Sequence, residues 1–293
     1  MRKVFNEIAS EIIKSNDKSV LILGDIGVYG FREVLSNYPK QVYNIGILEQ
    51  TMVSISAGLA SEGIIPIIHT IAPFMVERAL EQIKVDFGYQ NLPGNFVSVG
   101  ASFDYSKLGC THHCPADINI LSNIAGFDLF IPGHHNEFKS QFISHWDSGR
   151  INYFRLSENE NLDSINLEFG EIKRIKNGAK GIIIVMGPFL EPTLISLGDL
   201  DIEIHYVNSI SSIKQMQIES MFSSRKVVII EPYYSGALLI KLINQLGANG
   251  CEILQIGIPV EFLQSYGTYQ EQLISLNLDP NSLKKRVETF IGS

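Results

Sequence analysis

Residues 44–61 read NIGILEQTMVSISAGLAS, a pattern that predicts the end of a strand at 41–44, a turn at Gly46 and then a helix. The apolar residues Met52, Ile55 and Leu59 recur at helical spacing. This pattern places Glu49 in the first helical turn, near the positive end of the helix dipole. Small residues on this helix form a stripe on which another backbone could lie closely: Ser54, Gly58 and Ser61. An acid at this position can simply complement the dipole, so Glu49 needs support from other segments before it is given a chemical role.

Short runs rich in β-branched and aromatic residues flank this helix, at 19–24, 64–69, 95–99, 128–131 and 152–156. Helical stretches separate them, and this alternation predicts a mostly parallel sheet that is covered by helices on both faces. Ligands of such sheets bind at the carboxyl ends of the strands. The segments expected to meet at that edge are 24–27, Glu49, 70–74 and 100–115.

A second strand and helix alternation follows the polar stretch 157–164, which has the composition of a linker. Its predicted strands lie at 181–186, 203–207, 226–231 and 252–256. Its predicted helices lie near 191–197 and 212–222, with a third starting at Ser235. Two α/β domains are the simplest interpretation, and 293 residues are enough to give each one its own core.

The composition excludes several classes of protein. A formal net charge of −8 and the absence of a large basic cluster argue against a nucleic-acid partner. The longest apolar runs are the length of strands, and the first residues have the pattern of an amphipathic helix, so neither a membrane segment nor a signal peptide is predicted. Three cysteines without a regular framework suit a reducing compartment, so a cytoplasmic location is expected.

Several motifs occur in a fixed order along the first half of the chain. They are Gly46-Ile47-Leu48-Glu49-Gln50, Ala57-Gly58-Leu59-Ala60, Thr70-Ile71-Ala72-Pro73-Phe74, Glu81-Gln82-Ile83, Asp86, Tyr89-Gln90-Asn91-Leu92 and Gly109-Cys110-Thr111-His112-His113. Over roughly residues 20–160 this set resembles the pyrimidine-binding domain of transketolases. The tail from about residue 168 is similar to the C-terminal domain of that family, which implies two doubly wound α/β domains at 1–160 and 168–293.

The resemblance implies a bound thiamine diphosphate, with Glu49 as a catalytic residue. In that family a glutamate hydrogen-bonds the pyrimidine ring and favours the imino tautomer, whose nitrogen takes a proton from the thiazolium carbon. The residues expected to bind the cofactor beside Glu49 are Asp25, Ile26, Ile47, Ile71 and Phe74. Ile71 stands where an aromatic residue is usual, and Phe74 could equally be an ordinary core residue. Asp25 could instead cap a helix or occupy a turn.

The run Cys110-Thr111-His112-His113-Cys114 has two interpretations. Two thiols and two imidazoles suggest a metal site, although the spacing differs from that of the usual zinc motifs. Aligned to the family, the run resembles its Gly-Pro-Thr-His-Gln loop, which implies that His112 is a second catalytic residue that binds substrate oxygen and moves protons. The second interpretation is favoured, no metal is expected in this chain, and His113 has no assigned role.

The chain departs from the family pattern at positions whose side chains bind the substrate in that family. Counting back from His112, the acidic pair of the family corresponds to Lys107 and Leu108, and its upstream histidine corresponds to Gly100. Glu158 stands where an arginine would clamp the substrate phosphate, and a carboxylate there repels a phosphate. The expected donor is therefore a non-phosphorylated ketose or a keto acid, or the acceptor is unusual, such as a nucleotide-linked sugar.

The Gly-Asp-Gly motif that holds the diphosphate and its magnesium in thiamine enzymes does not occur in this sequence. The resemblance therefore implies a separate N-terminal subunit that carries the diphosphate-binding domain and binds the magnesium, with two copies of each chain in a heterotetramer. The predicted function is the C-terminal subunit of a split transketolase-like enzyme that transfers a short ketol or acyl unit. The alternatives are the β subunit of a 2-keto-acid dehydrogenase and a non-catalytic regulatory or assembly subunit.

Overall fold

The computed structural model of this chain describes residues 1–210, 226–246 and 251–292. The strands are β1 (Ser19–Leu23), β2 (Val42–Asn44), β3 (Ile65–Ile71), β4 (Gly94–Val99), β5 (Phe127–Phe130), β6 (Ile151–Arg155), β7 (Lys173–Lys176), β8 (Ile182–Met186), β9 (Glu203–Val207), β10 (Lys226–Tyr234) and β11 (Glu252–Ile258). The helices are α1 (Arg2–Ser15), α2 (Arg32–Asn37), α3 (Glu49–Ser61), α4 (Ala72–Val76), α5 (Leu80–Gln82), α6 (Asp117–Leu121), α7 (His135–His145), α8 (Leu190–Leu197), α9 (Ala237–Leu246), α10 (Tyr269–Ser275) and α11 (Pro280–Gly292). A π-helical segment, Ile83–Tyr89, continues α5.

The first sheet has six strands in the order β2-β1-β3-β4-β6-β5, and every neighbouring pair is parallel. Alternate residues of β1 enter different cores, because successive side chains of a strand point to opposite faces. Val20 and Ile22 belong to one core, whereas Leu21 and Leu23 belong to the other. The sheet is therefore covered on both faces, which confirms the doubly wound arrangement predicted from the sequence.

Helices cover both faces of this sheet. On one face the apolar stripe of α1, with Phe5 and Ile8, packs with Phe138 and Phe142 of α7. On the other face, α3 buries Met52, Val53, Ala57 and Ala60. The apolar periodicity of α3 misplaced Ile55, whose surface is 41% exposed. The small residues of the predicted stripe are also exposed, and their role as a contact surface stays a prediction.

The second sheet has five strands in the order β11-β10-β8-β9-β7. Its four strands β8 to β11 match the predicted strands and form three parallel pairings. Strand β7 was missed in the sequence, and it pairs with β9 in the antiparallel direction. The carboxy-terminal helices α10 and α11 were also missed, although a capping box of Thr268 and Glu271 begins α10. The helix predicted near 212–222 lies outside the described residues. Within the described ranges, every helix is too short or too polar to cross a membrane.

One hydrophobic core extends across both sheets, and it includes Ile68 of β3 and Ile184 of β8. The predicted linker 157–164 forms neither helix nor strand, yet it is anchored at its centre by Asn161. Asn161 Nδ2 donates to the Gly187 carbonyl at 3.1 Å, and its backbone N–H donates to the Gly133 carbonyl at 2.8 Å. This segment is therefore packed against both sheets.

Candidate functional site

The carboxyl ends of four neighbouring strands, β2, β1, β3 and β4, carry the segments that were predicted to meet. The side chain of Asn44 joins the first two of these segments. Its Oδ1 accepts hydrogen bonds from the backbone N–H of Asp25 at 2.9 Å and of Gly46 at 3.1 Å. Gly46 has a φ of +80°, a conformation that glycine adopts without strain, and it turns the chain directly into α3.

Glu49 is the first residue of α3, and its surface is fully buried. One carboxylate oxygen, Oε2, accepts a hydrogen bond from Arg78 Nη1 at 2.7 Å. The other oxygen, Oε1, is also buried and has no hydrogen-bond partner among the described residues. Because an unpaired buried acceptor costs free energy, this oxygen is placed to accept from a group that the chain itself does not supply.

Aromatic and cationic groups connect this carboxylate to the loop that contains His112. The guanidinium carbon of Arg78 lies 4.1 Å from the centre of the Phe74 ring. The Phe74 ring in turn meets the His112 ring edge to face, with centroids 5.3 Å apart. Glu49, Arg78, Phe74 and His112 therefore form one continuous group, which sequence reasoning found without its arginine.

His112 is half-buried at the edge of this group. Its Nδ1 lies 3.0 Å from Thr111 Oγ1, and the Tyr105 ring lies edge-on to the imidazole at a centroid distance of 6.4 Å. Tyr105 also packs closely against Gly100, the position that the sequence analysis expected to depart from the family pattern. A Cβ at Gly100 would lie 2.5 Å from Tyr105 Cε2, so this ring occupies the space in which another side chain would begin.

The remaining residues of the predicted cofactor site are not all enclosed. Ile71 is buried and Ile26 is half-buried against the core. Ile47 is 66% exposed, so it forms no closed wall around Glu49 within this chain. Asp25 is exposed with a φ of 64°, and its Oδ1 accepts from Asn44 Nδ2 at 3.2 Å. Asp25 does not cap α2, because the residue before that helix is Phe31.

The metal interpretation of residues 110–114 gains no support from the geometry. Cys110 is exposed, whereas Cys114 is buried and donates its thiol to Glu77 Oε1 at 3.6 Å. Burial raises the pKa of the Cys114 thiol well above its usual value, which opposes the thiolate that a metal would require. Burial also lowers the pKa of His113.

Another group with metal-binding side chains, His134, His135 and Glu160, lies at the start of α7. His134 Nδ1 accepts from the backbone N–H of Asn136 at 3.1 Å, so the proton of the neutral ring is on Nε2. His135 Nδ1 pairs with Glu160 Oε2 at 2.7 Å. These contacts use one nitrogen of each histidine and one Glu160 oxygen, so the group is explained as a helix cap and a hydrogen-bonded pair.

Asp104 attaches the His112 loop to the segment that contains Glu158. This half-buried carboxylate accepts from Ser157 Oγ at 3.1 Å, from the Glu158 backbone N–H at 2.9 Å and from Asn159 Nδ2 at 3.0 Å. Desolvation raises the pKa of Asp104 to about 6. The backbone of Glu158, whose side chain is exposed, is therefore held next to the loop that precedes His112.

A buried ion pair between Arg155 and Asp117 anchors the 100–115 loop. Arg155 Nε donates to Asp117 Oδ2 at 2.7 Å, and both side chains are almost completely buried. Arg155 Nη2 donates to Ser102 Oγ at 2.6 Å, and Ser102 Oγ donates to the Pro232 carbonyl of β10. Tyr153 OH donates to the same Asp117 oxygen at 2.8 Å. The pair therefore joins the first sheet, the 100–115 loop and the second sheet.

His69, at the end of β3, makes the stability of this region dependent on pH. Its Nδ1 donates to the Val97 carbonyl at 2.8 Å, and the loop at Gly27 closes over its ring. Burial lowers the pKa of His69 to about 4 from 6.5. Because the pKa of the folded state is the lower one, this contribution to stability is present above about pH 6.5 and is lost as the pH falls towards about 4.

The stability of the wild type is therefore expected to decrease by about 3 kcal/mol across this window through His69 alone. The leucine of His69→Leu cannot ionise, so the stability of this variant is expected to decrease less steeply as the pH falls. Urea unfolding of both proteins at a series of pH values measures the difference. If the free energy of unfolding depends on pH in the same way in both proteins, His69 does not titrate as described.

The chain is similar to known proteins of the transketolase family. Residues 1–161 match the family described as "Transketolase, pyrimidine binding domain". The whole chain is 30% identical to the "Uncharacterized 33.6 kDa protein in fasciation locus" of Rhodococcoides fascians, of which it covers 95%. Over 73% of its length, and 73% of the relative, it is 29% identical to one subunit of the apulose-4-phosphate transketolase of Actinobacillus succinogenes. A solved "Split gene transketolase, inactive beta4 tetramer" superposes with a TM-score of 0.84 at 18% identity, covering 99% of this chain and 97% of that one.

Proposed function

This chain belongs to the family of the transketolase pyrimidine-binding domain, and from that premise we propose that it is the C-terminal subunit of a split, thiamine-diphosphate-dependent transketolase-like enzyme. The enzyme transfers a short ketol or acyl unit to an aldehyde or keto acceptor. In this proposal residues 1–160 form the pyrimidine-binding domain and residues 168–293 the C-terminal domain. A cytoplasmic location is part of the same proposal.

The observation that carries the proposal is the buried, unpartnered Oε1 of Glu49 in the first turn of α3. A carboxylate of this kind fits the ring nitrogen of an aminopyrimidine, with which it can share a proton. Ile71 and Phe74 supply apolar and aromatic surface for a flat ring beside it. When bound, thiamine diphosphate supplies the carbanion chemistry, and this chain orients it.

The protein residues divide the remaining work between them. Glu49 holds the pyrimidine end and shares its proton. His112, which is half-buried and meets the Phe74 ring edge to face, is placed to hydrogen-bond a substrate oxygen and to move a proton to or from it. The Tyr105 ring limits the space next to His112 where the family has a histidine that reads a substrate hydroxyl.

A partner chain is proposed to supply the diphosphate-binding domain and its magnesium, in an α2β2 heterotetramer. Apolar side chains are exposed beside the site, where such a partner would bind. Ile47 and Leu48, which directly precede Glu49, are 66% and 53% exposed, and Tyr29 in the neighbouring loop is 81% exposed. Two similar proteins, one named as a transketolase subunit and the other as a split-gene transketolase, support the same organisation.

The substrate is proposed to differ from ordinary sugar phosphates, because Glu158 is exposed next to the His112 loop and Lys107 and Leu108 replace the acidic pair. The experiment combines this chain with its proposed diphosphate-binding partner, magnesium and thiamine diphosphate. Phosphorylated and non-phosphorylated ketoses and keto acids are then compared as donors. Transfer is expected from a non-phosphorylated donor.

Two results would count against the proposal at different levels. Efficient turnover of xylulose 5-phosphate would contradict the proposed class of substrate but not the proposed transfer reaction. No cofactor-dependent transfer from any donor, with a correctly assembled complex, would contradict the catalytic function and favour a regulatory or assembly role.

A further inference from the structure

We propose that Arg78 is a positioning residue for Glu49. It binds Oε2 so that Oε1 is the one oxygen presented to the pyrimidine ring. This inference rests on the proposed function, since it concerns how the same carboxylate meets the cofactor. Arg78 was not among the residues expected from the sequence, and it is not proposed to touch the substrate.

The Glu49 carboxylate could present either oxygen if nothing held it. The two oxygens of a glutamate are chemically equivalent, and the last side-chain torsion is broad, so a carboxylate that is bound at neither oxygen can rotate. The charged hydrogen bond of 2.7 Å from Arg78 Nη1 to Oε2 removes this freedom. Oε1 is left buried and without a partner among the described residues. The direction of the free lone pairs is therefore set before any ligand arrives.

The arginine is itself held in place by Phe74. Arg78 lies four residues after Phe74, in the turn that follows α4, and its backbone N–H donates to the Pro73 carbonyl at 3.1 Å, which keeps the chain coiled and the two side chains close. The guanidinium lies over the Phe74 ring at 4.1 Å. Stacking on the ring and pairing with the carboxylate both fit a planar guanidinium better than an ammonium group.

The surroundings of the two charged groups differ. The Arg78 side chain is 36% exposed, whereas that of Glu49 is 1% exposed. The guanidinium therefore keeps contact with solvent while it pairs with a carboxylate that has none. This arrangement offsets part of the cost of burying the Glu49 charge. Removing the arginine should affect the orientation of Glu49 more than the folding of α3, which is anchored independently by Met52 and Val53.

The test uses the assembled complex and two measurements that require no substrate. One is the dissociation constant of thiamine diphosphate, and the other is the rate at which the thiazolium C2 proton of the bound cofactor exchanges with deuterium, read by NMR after acid quenching. The variants are Arg78→Gln and Arg78→Lys. The control is Arg174→Gln, which removes an exposed arginine that faces Glu203 at 3.8 Å in the second sheet.

Arg78→Gln is expected to slow the proton exchange by about 10- to 100-fold, because the carboxylate is no longer held in one orientation. Arg78→Lys should recover part of this loss, and Arg174→Gln should match the wild type. Exchange at the wild-type rate in both Arg78 variants would overturn the inference while leaving the proposed function intact. Glu49→Gln, measured in the same way, tests the proposed function itself. A wild-type complex that binds no thiamine diphosphate, or a normal exchange rate in Glu49→Gln, would overturn that function.

Discussion

Replacing Glu49 by glutamine is expected to lower the turnover of the assembled enzyme by about 100- to 10,000-fold, the range usually lost with a positioned proton-transfer group. Glutamine has nearly the same size as glutamate, and its amide oxygen can still accept from Arg78 Nη1, so the local packing is preserved. The amide cannot share a proton with a ring nitrogen. The loss should therefore appear in kcat with the complex still assembled.

The measurement compares steady-state rates and subunit association for wild type and Glu49→Gln. Glu62→Gln is the matched control, because Glu62 is an exposed acid at the other end of the same helix. It is expected to behave as the wild type. Unchanged turnover in Glu49→Gln would favour the alternative that this chain is a non-catalytic regulatory or assembly subunit.

The largest expected effect on stability comes from the buried pair of Arg155 and Asp117. In Arg155→Leu, the Asp117 carboxylate stays buried, and among the described residues its remaining donors are Tyr153 OH and the Ile118 backbone N–H. Breaking a buried ion pair by removing one partner costs about 3–5 kcal/mol, because the remaining charge is uncompensated. The free energy of urea unfolding is therefore expected to fall by about this amount.

The double variant Arg155→Leu/Asp117→Leu tests the reason for this loss. It removes both charges, so it should recover part of the stability, although Ser102 and Tyr153 lose partners. The control Lys284→Ala removes one side of an exposed pair with Asp199 and should have little effect. If Arg155→Leu unfolds at the same urea concentration as Lys284→Ala, the buried pair does not contribute as described.

The parallel strands could be predicted because their apolar residues are buried on both faces, which leaves a clear pattern in the sequence. The edge strand β7 was missed because it is charged and largely exposed, so it has neither an apolar run nor a regular alternation. The first turn of α3 was predicted correctly from Gly46 and the apolar residues that follow. The side of α3 that is buried was not predicted exactly, since Ile55 is exposed.

The candidate site was predictable only where local motifs define it. Glu49, Phe74 and His112 each lie in a recognisable segment, and the structure brings them together. Arg78 was missed because an arginine after a short apolar helix reads as a solvated residue. The useful signal was its spacing of four residues from Phe74. The role of Tyr105 could be inferred only indirectly, from Gly100. In the sequence analysis a glycine was found where a histidine was expected, and this glycine leaves room for the Tyr105 ring.

The role of Arg155 depends on contacts that no local pattern contains. Its ion-pair partner Asp117 is 38 residues away in the chain, and Pro232, whose carbonyl also accepts from it, is 77 residues away. Arg155 was given no role in the sequence analysis. Interactions of this kind become visible when the two sheets and the 100–115 loop are packed against one another.

The most direct test of the central claim is a calorimetric titration of thiamine diphosphate with magnesium. It is made into this chain alone, into the diphosphate-binding partner alone and into their mixture. The expected result is tight binding only in the mixture, with about one cofactor for each copy of this chain, because Glu49 and the magnesium ligands lie on different polypeptides. Tight binding by this chain alone would contradict the account.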